Sequence, residues 1–219
     1  MTNYIFKKEN HQYLEVGKII CLARTYKKHA KEMKSKVPKE PLLFLKPSSS
    51  VIFDNQNIKK PEMSECLHHE IELGIVISKK CKNISRKHAL DYVLGYCVCI
   101  DVTARDIQTI AKKNGWPWSI SKGFDTFAPI GNIILKDDFI NPNDCDLLLK
   151  VNGEIRQNSN TKNMVFTIQE IISFISKIMT LERGDLIMTG TPEGVSEIKK
   201  DDMIEAYLNG SCEIKTYVE

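Results

Sequence analysis

Two glutamates stand two residues apart in the run HHEIELG, at 68–74. Side chains with that spacing on a strand point to the same face, so Glu70 and Glu72 share one space while Ile71 and Leu73 face the other way. Two carboxylates held together repel each other unless one takes up a proton or a cation lies between them. The spacing therefore indicates either a divalent-metal site or the solvated face of a half-exposed strand.

A third carboxylate, Asp101, follows the apolar run YVLGYCVCI and comes just before a predicted helix. It has two interpretations at this point, as the cap of that helix or as a third ligand of the metal. Three oxygen ligands without a cysteine or histidine pattern select Mg²⁺, Mn²⁺ or Ca²⁺ and leave positions open for water and a chelating substrate.

The helix predicted from about Thr103 carries Arg105 and Gln108 three residues apart, so the two side chains share a face. That face is suited to binding a substrate carboxylate. An ordinary ion pair of Arg105 with Asp101 or Asp106 is the alternative.

The helix predicted from about Tyr26 has His29 and Glu32 at the same spacing. A carboxylate there can orient an imidazole and stabilise its charged form, as a general base requires. An ordinary surface helix that happens to carry both residues is the alternative.

Two later segments add polar groups. SKGFDTFAPIG at 121–131 places Lys122 beside Gly123, and TGTPEGV at 189–195 is a turn that follows an apolar strand. Such a turn can present hydroxyls and backbone N–H groups to an anion. Neither segment identifies a site by itself.

Short strand-like runs must position these groups, because helices are few. The clearest helix begins at Thr167, where Thr167 and Glu170 match a capping box. Asn152-Gly153 and Asn209-Gly210 predict hairpin turns. Without a regular alternation of strand and helix, we expect an α+β fold that is mainly β, with antiparallel or mixed sheets. The predicted strands span 18–23, 42–46, 71–77, 92–102, 130–135 and 146–151.

The composition is that of an ordinary folded domain, with 42% hydrophobic and 27% charged residues in a chain of 219. The net charge is only +3 and the lysines form dispersed doublets, which argues against nucleic acid as a partner. No run is long enough to span a membrane or to form a signal peptide. The seven cysteines include no CxxC pair, so we expect free thiols and a cytoplasmic location.

Several motifs in fixed order resemble those of the fumarylacetoacetate hydrolase family, and most closely its single-domain acylpyruvase (acylpyruvate hydrolase) branch. They are ARTYKKHAKE, PLLFLKPSSS, LHHEIELGIVI, LGYCVCIDVTARDIQ, SKGFDTFAPIG, VNGEIRQNSNT and LERGDLIMTGTPEGV. The resemblance implies a mixed β-roll of the family's C-terminal-domain type. It also implies one catalytic domain at 18–219, after a short N-terminal segment at 1–17.

The resemblance places the family's metal ligands at Glu70, Glu72 and Asp101, where Mg²⁺ or Mn²⁺ is expected and Ca²⁺ can replace them in crystals. It places the water-activating pair at His29 and Glu32.

By the same resemblance, the lysine that contacts substrate oxygens falls on Lys122. The other positions implied to line the substrate pocket are Arg24, Arg105, Gln108 and Thr191. The implied partners are a small-molecule 2-keto acid and a second copy of the chain in a homodimer.

The implied activity is metal-dependent hydrolysis of an acylpyruvate-type 1,3-dicarbonyl acid to pyruvate and a carboxylic acid. Decarboxylation of oxaloacetate, or its keto–enol tautomerisation, passes through the same metal-held enolate and stays open as an alternative. A non-catalytic protein that binds the metal and a 2-keto acid is a third reading.

The chain departs from the family pattern at Ala23-Arg24-Thr25-Tyr26, where Gly-Arg-Asn-Tyr is usual. The methyl group of Ala23 is predicted to narrow the approach of the backbone to the pocket and so to alter the fit of the substrate. His69 stands where tyrosine is common, and Asp201-Asp202 stands where Gly-Asp is usual; both changes are expected to be peripheral.

Overall fold

The computed structural model describes residues 2–5, 14–139 and 141–219, so the segment predicted at 1–17 lies partly outside the described residues. The strands are β1 Ile19–Ala23, β2 Leu42–Lys46, β3 Val51–Phe53, β4 Leu67–His68, β5 Ile71–Ile77, β6 Val93–Ile100, β7 Thr103–Ala104, β8 Ala128–Ile130, β9 Ile134–Leu135, β10 Asp146–Val151, β11 Glu154–Asn160, β12 Leu186–Met188, β13 Glu197–Ile198, β14 Met203–Leu208 and β15 Ser211–Tyr217. The α-helices are α1 Lys27–Glu32, α2 Arg105–Asn114, α3 Ser119–Lys122 and α4 Ile168–Ile178.

The strands form three sheets. The largest has the order β2-β1-β12-β5-β6-β8-β3, with β9 also paired to β6. The pairs β1–β12 and β3–β8 are parallel, and the other pairs of this sheet are antiparallel. The smaller sheets have the orders β11-β10-β14-β15 and β13-β4-β7. The predicted α+β fold, mainly β with mixed sheets, is confirmed.

Strand β5 lies inside the largest sheet, between β12 and β6, and all seven of its residues are buried. Both faces of the strand are covered, so Glu72 is as inaccessible to solvent as Ile71 and Leu73. The interpretation of HHEIELG as a solvated strand face is therefore wrong.

The local signals of α4 and of the hairpins are confirmed. Thr167 and Glu170 form the capping box at the start of α4. Asn152 and Asn209 both have positive φ, as two-residue hairpin turns require, and they join β10 to β11 and β14 to β15. The boundary of α2 differs from the prediction, because Thr103 and Ala104 pair with β4 before the helix begins.

The predicted strand at 130–135 is divided into β8 and β9. The backbone of Gly131 passes so close to its neighbours that an added Cβ would lie 3.0 Å from Glu213 Cβ and 3.1 Å from Val98 Cγ1. A side chain there would press on both neighbours, and the strand is interrupted next to this glycine.

Strand registers bring four strand ends together. Cys21 on β1 pairs with Met188 on β12, Met188 pairs with Gly74 on β5, and Ile71 on β5 pairs with Ile100 on β6. The segments that follow β1, β6 and β12 therefore meet the start of β5 at one edge of the sheet. No helix in the described part of the chain is long and apolar enough to cross a membrane.

Candidate metal and substrate site

The structure brings the three predicted carboxylates together at this edge. Glu70, Glu72 and Asp101 are all buried, and each offers a carboxylate oxygen within 4.8 Å of the others. The Asp101 N–H donates to the Glu70 carbonyl over 2.8 Å, which locks the end of β6 beside the start of β5. Asp101 does not cap α2, because the N-cap is Ala104 and it has no side-chain cap bond.

Lys122, at the end of α3, lies between two of the carboxylates. Its Nζ donates to Glu70 Oε2 over 3.0 Å, to Thr103 Oγ1 over 2.6 Å and to Asp101 Oδ2. Burial alone would lower the pKa of Lys122, but Asp101 and Glu70 raise the pKa above its ordinary value. The site therefore contains a fixed positive charge at its centre.

Arg105 and Gln108 share a face of α2, as their spacing predicts. Arg105 Nη1 donates to Gln108 Oε1 over 2.7 Å, and Nη2 donates to Glu70 Oε1 over 2.5 Å. The alternative, an ion pair of Arg105 with Asp101 or Asp106, is therefore wrong, because the carboxylate that Arg105 contacts is that of Glu70. Asp106 instead accepts hydrogen bonds from the Ser64 hydroxyl and the Glu65 N–H.

The two glutamates differ in their electrostatics. Burial raises the pKa of Glu70, but Lys122 and Arg105 outweigh it and hold the pKa well below its ordinary value. The pKa of Glu72 is raised well above its ordinary value by burial and by the neighbouring Asp101 and Glu70. Glu72 Oε2 accepts one backbone hydrogen bond, of 2.6 Å, from Gly190.

The residues present fit a divalent cation. Asp101 Oδ1 is buried and accepts no hydrogen bond, although Lys46 Nζ lies 2.8 Å away. An ammonium group has three donors, and all three of Lys46 go to backbone carbonyls. A buried carboxylate oxygen without a donor, in a donor set made only of carboxylates, matches the needs of Mg²⁺ or Mn²⁺.

Lys46, the last residue of β2, is a site residue that the sequence reasoning missed. Its side chain is fully buried. Its Nζ donates to the carbonyls of Val102 over 3.1 Å, Lys122 over 2.5 Å and Phe127 over 2.9 Å. It thereby fixes the backbone that follows Asp101 and the backbone that carries the central lysine.

We expect Lys46→Met to lower the free energy of unfolding by about 3–5 kcal/mol, as removal of one partner from a buried ion pair typically does. The variant leaves three carbonyls without their donor and leaves Asp101 with less positive charge beside it. Urea denaturation measures the change. Lys60→Met, which removes an exposed ion pair with Glu65, is the control and should change stability by about 1 kcal/mol or less. Equal effects of the two substitutions would contradict the role given to Lys46.

His29 and Glu32 form the predicted contact on α1. His29 Nδ1 lies 3.2 Å from Glu32 Oε2, and Glu32 Oε1 accepts a 3.0 Å hydrogen bond from the Gly194 N–H. With Nδ1 directed at the carboxylate, Nε2 is the basic nitrogen. His29 is buried, whereas Glu32 and most of α1 are exposed, so of the two side chains only the imidazole is withdrawn from solvent.

A cavity of about 210 Å³ lies above the carboxylates. The predicted site residues that line it are Arg24, His29, Glu70, Arg105, Gln108, Lys122 and Thr191. Glu32, Glu72 and Asp101 are not among the lining residues. The lining residues that the sequence reasoning missed are Leu22, Met33, Lys34, Ser35, Phe44, Lys112 and Trp118.

The departures at 23–25 have separate consequences. Ala23 lines the cavity, so its methyl group lies where it was predicted to narrow the approach of the backbone to the pocket. Arg24 has φ of 60°, a left-handed conformation that turns the chain out of β1. Thr25 is buried and donates to the Thr189 carbonyl over 2.8 Å, so it ties the end of β1 to the end of β12.

Gln157, on β11, links the metal strand to the 189–195 turn and was also missed. Its Oε1 lies 2.9 Å from His69 Nδ1 and accepts a 2.9 Å hydrogen bond from the Ile71 N–H; its Nε2 donates to Thr191 Oγ1 over 2.8 Å. Burial lowers the pKa of His69 to about 4, so this histidine is neutral and structural. Gln157 is the one fully buried residue of β11, which is mainly polar, and no local pattern in the sequence distinguishes it from its polar neighbours.

Comparison with known proteins identifies the family. The family model described as Fumarylacetoacetate (FAA) hydrolase C-terminal matches residues 18–219, and the chain belongs to this family of enzymes. The mitochondrial oxaloacetate tautomerase FAHD1 of Bos taurus is 45% identical over 209 residues, covering 95% of each chain.

Two solved structures show the same fold. The fumarylpyruvate hydrolase of Pseudomonas aeruginosa, in complex with Mn²⁺ and pyruvate, has a TM-score of 0.94 at 32% identity, covering 99% of this chain and 95% of that one. The 2-hydroxyhepta-2,4-diene-1,7-dioate isomerase of Mycobacterium marinum has a TM-score of 0.82 at 36% identity, covering 94% and 75%. Hydrolases, isomerases and a tautomerase are thus found among its relatives.

Proposed function

We propose that this protein is a divalent-metal-dependent hydrolase that cleaves a carbon–carbon bond of acylpyruvates to give pyruvate and a carboxylic acid. One observation carries the proposal: a buried carboxylate triad with a central lysine forms one side of the site, and a histidine held by a glutamate lines the same cavity. The resemblance to a fumarylpyruvate hydrolase solved with Mn²⁺ and pyruvate supports it.

In this proposal Glu70, Glu72 and Asp101 hold Mg²⁺ or Mn²⁺. An ion bound there would supply Lewis-acid chemistry to a chelating 2-oxo acid. Arg105 and Gln108 line the cavity beside Glu70 and donate to the substrate carboxylate.

His29 accepts a proton from water through Nε2 while Glu32 holds its Nδ1–H. The water oxygen bonds to the distal acyl carbon, and the bond between that carbon and the pyruvyl methylene breaks. The electron pair passes to the pyruvyl unit as an enolate, whose charge Lys122 stabilises. Return of the proton to the methylene carbon gives pyruvate, and the acyl group leaves as the carboxylic acid. One water is consumed.

Oxaloacetate keto–enol tautomerisation is the second candidate, favoured by the 45% identity to the Bos taurus tautomerase. It requires a proton to leave and return at one carbon, and it uses the same enolate. Decarboxylation of oxaloacetate also passes through this enolate. A non-catalytic binder has less support, because His29, Glu32 and Lys122 are all present and in contact with site residues.

Acetylpyruvate and oxaloacetate, each assayed with Mg²⁺ and with Mn²⁺, test the proposal. We expect acetylpyruvate to release pyruvate and acetate in equal amounts, and we expect a chelator to stop the release. Rapid interconversion of keto and enol oxaloacetate without any acetate from acetylpyruvate would refute the hydrolase and establish the second candidate.

The homodimer, the choice of Mg²⁺ over Mn²⁺ and the cytoplasmic location remain proposals. Light scattering of the purified protein and its metal content after purification test the first two.

A further inference from the structure

Glu72 receives no hydrogen bond from a side chain of the described residues, unlike the other two carboxylates of the triad. Arg105 and Lys122 donate to Glu70, and Lys122 also donates to Asp101. Glu72 is held instead by a backbone group, because the Gly190 N–H donates to its Oε2 over 2.6 Å. The orientation of this carboxylate therefore depends on how firmly the peptide group before Gly190 is held.

That peptide group, between Thr189 and Gly190, is held from its other side by Thr25. The Thr25 hydroxyl donates to the Thr189 carbonyl over 2.8 Å. This carbonyl and the Gly190 N–H belong to the same planar amide, so both hydrogen bonds act on one rigid group. Hydrogen bonds linked in this way polarise one another, by about 10–30% for each bond. A continuous hydrogen-bond chain thus runs from the Thr25 hydroxyl, through the amide, to Glu72.

The close approach of Thr25 to this amide depends on the glycine at position 190. Gly190 has φ of 91°, a conformation that glycine adopts without strain. A Cβ added there would lie 2.0 Å from Thr25 Oγ1 and 3.2 Å from the Leu22 carbonyl oxygen. The Thr25 hydroxyl therefore occupies the space that a side chain at position 190 would need.

The two threonines are fixed by further hydrogen bonds. The N–H and the hydroxyl of Thr189 both donate to the Leu73 carbonyl, over 3.1 Å and 2.9 Å, and Leu73 is the residue after Glu72. The Val165 N–H donates to the Thr25 carbonyl over 2.8 Å. Thr25 and Thr189 are both fully buried, so bulk water does not replace the hydroxyl if it is removed.

We propose that Thr25 is a positioning residue for Glu72: its hydroxyl orients and polarises the Thr189–Gly190 amide, whose N–H fixes the carboxylate in one orientation. The inference rests on the proposed function, since it takes Glu72 to be a ligand of a divalent cation. Groups that hold a metal ligand in place typically contribute about 10- to 100-fold to metal affinity. Loss of the Thr25 hydroxyl should therefore weaken metal binding, although Thr25 itself is not a ligand.

Thr25→Val and Thr25→Ser separate the hydroxyl from the packing of the side chain. Valine keeps the size of threonine and removes the donor, whereas serine keeps the donor and removes a methyl group. By calorimetric titration with Mn²⁺ we expect Thr25→Val to lose about 10- to 100-fold in affinity. We expect Thr25→Ser to bind Mn²⁺ nearly as tightly as the unmodified protein.

Thr216→Val is the matched control. Thr216 is also fully buried and its hydroxyl donates to a backbone carbonyl, that of Gln56, over 2.6 Å. Neither residue lines the cavity, so the affinity for Mn²⁺ should be unchanged.

The NMR resonance of the Gly190 N–H reports on the hydrogen-bond chain without a metal. A short hydrogen bond deshields the donor proton, so we expect this resonance at low field in the metal-free protein. It should move to higher field in Thr25→Val and stay in place in Thr25→Ser and Thr216→Val.

Undiminished Mn²⁺ affinity in Thr25→Val would overturn the proposal, and so would an equal loss in Thr25→Ser, which would assign the effect to packing. If Thr25→Val does not fold, the unmodified protein still decides, because a Gly190 resonance at the position of an exposed amide would overturn the proposal. Failure of the unmodified protein to bind Mn²⁺ would overturn the proposed function and the role of Glu72 as a ligand. A Gly190 resonance that still moves in Thr25→Val would then locate that failure in the metal site and not in the hydrogen-bond chain.

Discussion

Asp101→Asn is expected to weaken Mn²⁺ binding by about 100-fold or more and to abolish hydrolysis of acylpyruvates. Loss of a group that merely supports a metal ligand typically costs 10- to 100-fold in affinity, so loss of a ligand should cost about that much at least. Asparagine has nearly the same shape as aspartate and can still accept the hydrogen bond from Lys122. Glu70→Gln should behave in the same way, because it also removes one of the three carboxylates.

Calorimetric titration with Mn²⁺ measures the affinity, and far-ultraviolet circular dichroism checks that each variant is folded. Glu65→Gln is the control, since its carboxylate is exposed and pairs with Lys60. A folded variant with undiminished Mn²⁺ affinity would show that the substituted residue is not a ligand.

His29→Ala is expected to slow acylpyruvate hydrolysis by about 10²- to 10⁴-fold, the usual contribution of a general base. Decarboxylation of oxaloacetate uses no attacking water, so its rate should fall much less in the same variant. Lys122→Met, by contrast, should slow both reactions, because both develop an enolate beside this lysine. The measurement is kcat/KM for acetylpyruvate and for oxaloacetate in each variant.

His88→Ala is a close control for the histidine. His88 and Asp91 have the same i, i+3 spacing, with Nδ1 and Oδ2 3.1 Å apart, but both side chains are exposed and lie outside the cavity. Removing His88 should leave both rates unchanged. If His29→Ala slows the two reactions equally, His29 binds substrate or shapes the cavity, and the water-activating role must be withdrawn.

The spacing of side chains along one strand or helix was the most informative part of the sequence. The two-residue spacing of Glu70 and Glu72, the helical spacing of Arg105 and Gln108, and the capping box at Thr167 all appear in the structure as predicted. These contacts lie within one element, so the local period of the chain determines them.

The missed residues act across elements and often through backbone atoms. Lys46 contacts three carbonyls, and any residue type can supply a carbonyl, so no motif marks its partners. Lys112 and Lys113 form one of the dispersed lysine doublets, and only Lys112 lines the cavity. Which lysine faces the cavity depends on how α2 is rotated about its axis where it packs near α3 and β2. A local sequence pattern does not determine that rotation.

The ion-pair partner of Arg105 was misjudged for a related reason. Asp101 and Asp106 are the acids nearest to Arg105 in sequence, whereas its partner in the structure is Glu70, just before β5. Roles at the site that depend on the resemblance, such as those of Lys122 and Thr191, stay predictions until the variants are measured.

The position of Lys46 at the end of β2 couples the site to an edge strand of the largest sheet. A terminal strand is paired on one side only and ordinarily opens first during native-state fluctuations. Here β2 is such a strand within the largest sheet, yet its last side chain is bonded to carbonyls that lie next to the carboxylate triad. An opening of β2 that displaces Lys46 must therefore break hydrogen bonds beside the triad. Slow amide hydrogen exchange in β2, and slower exchange still once an ion is bound, is the dynamic signature of this arrangement.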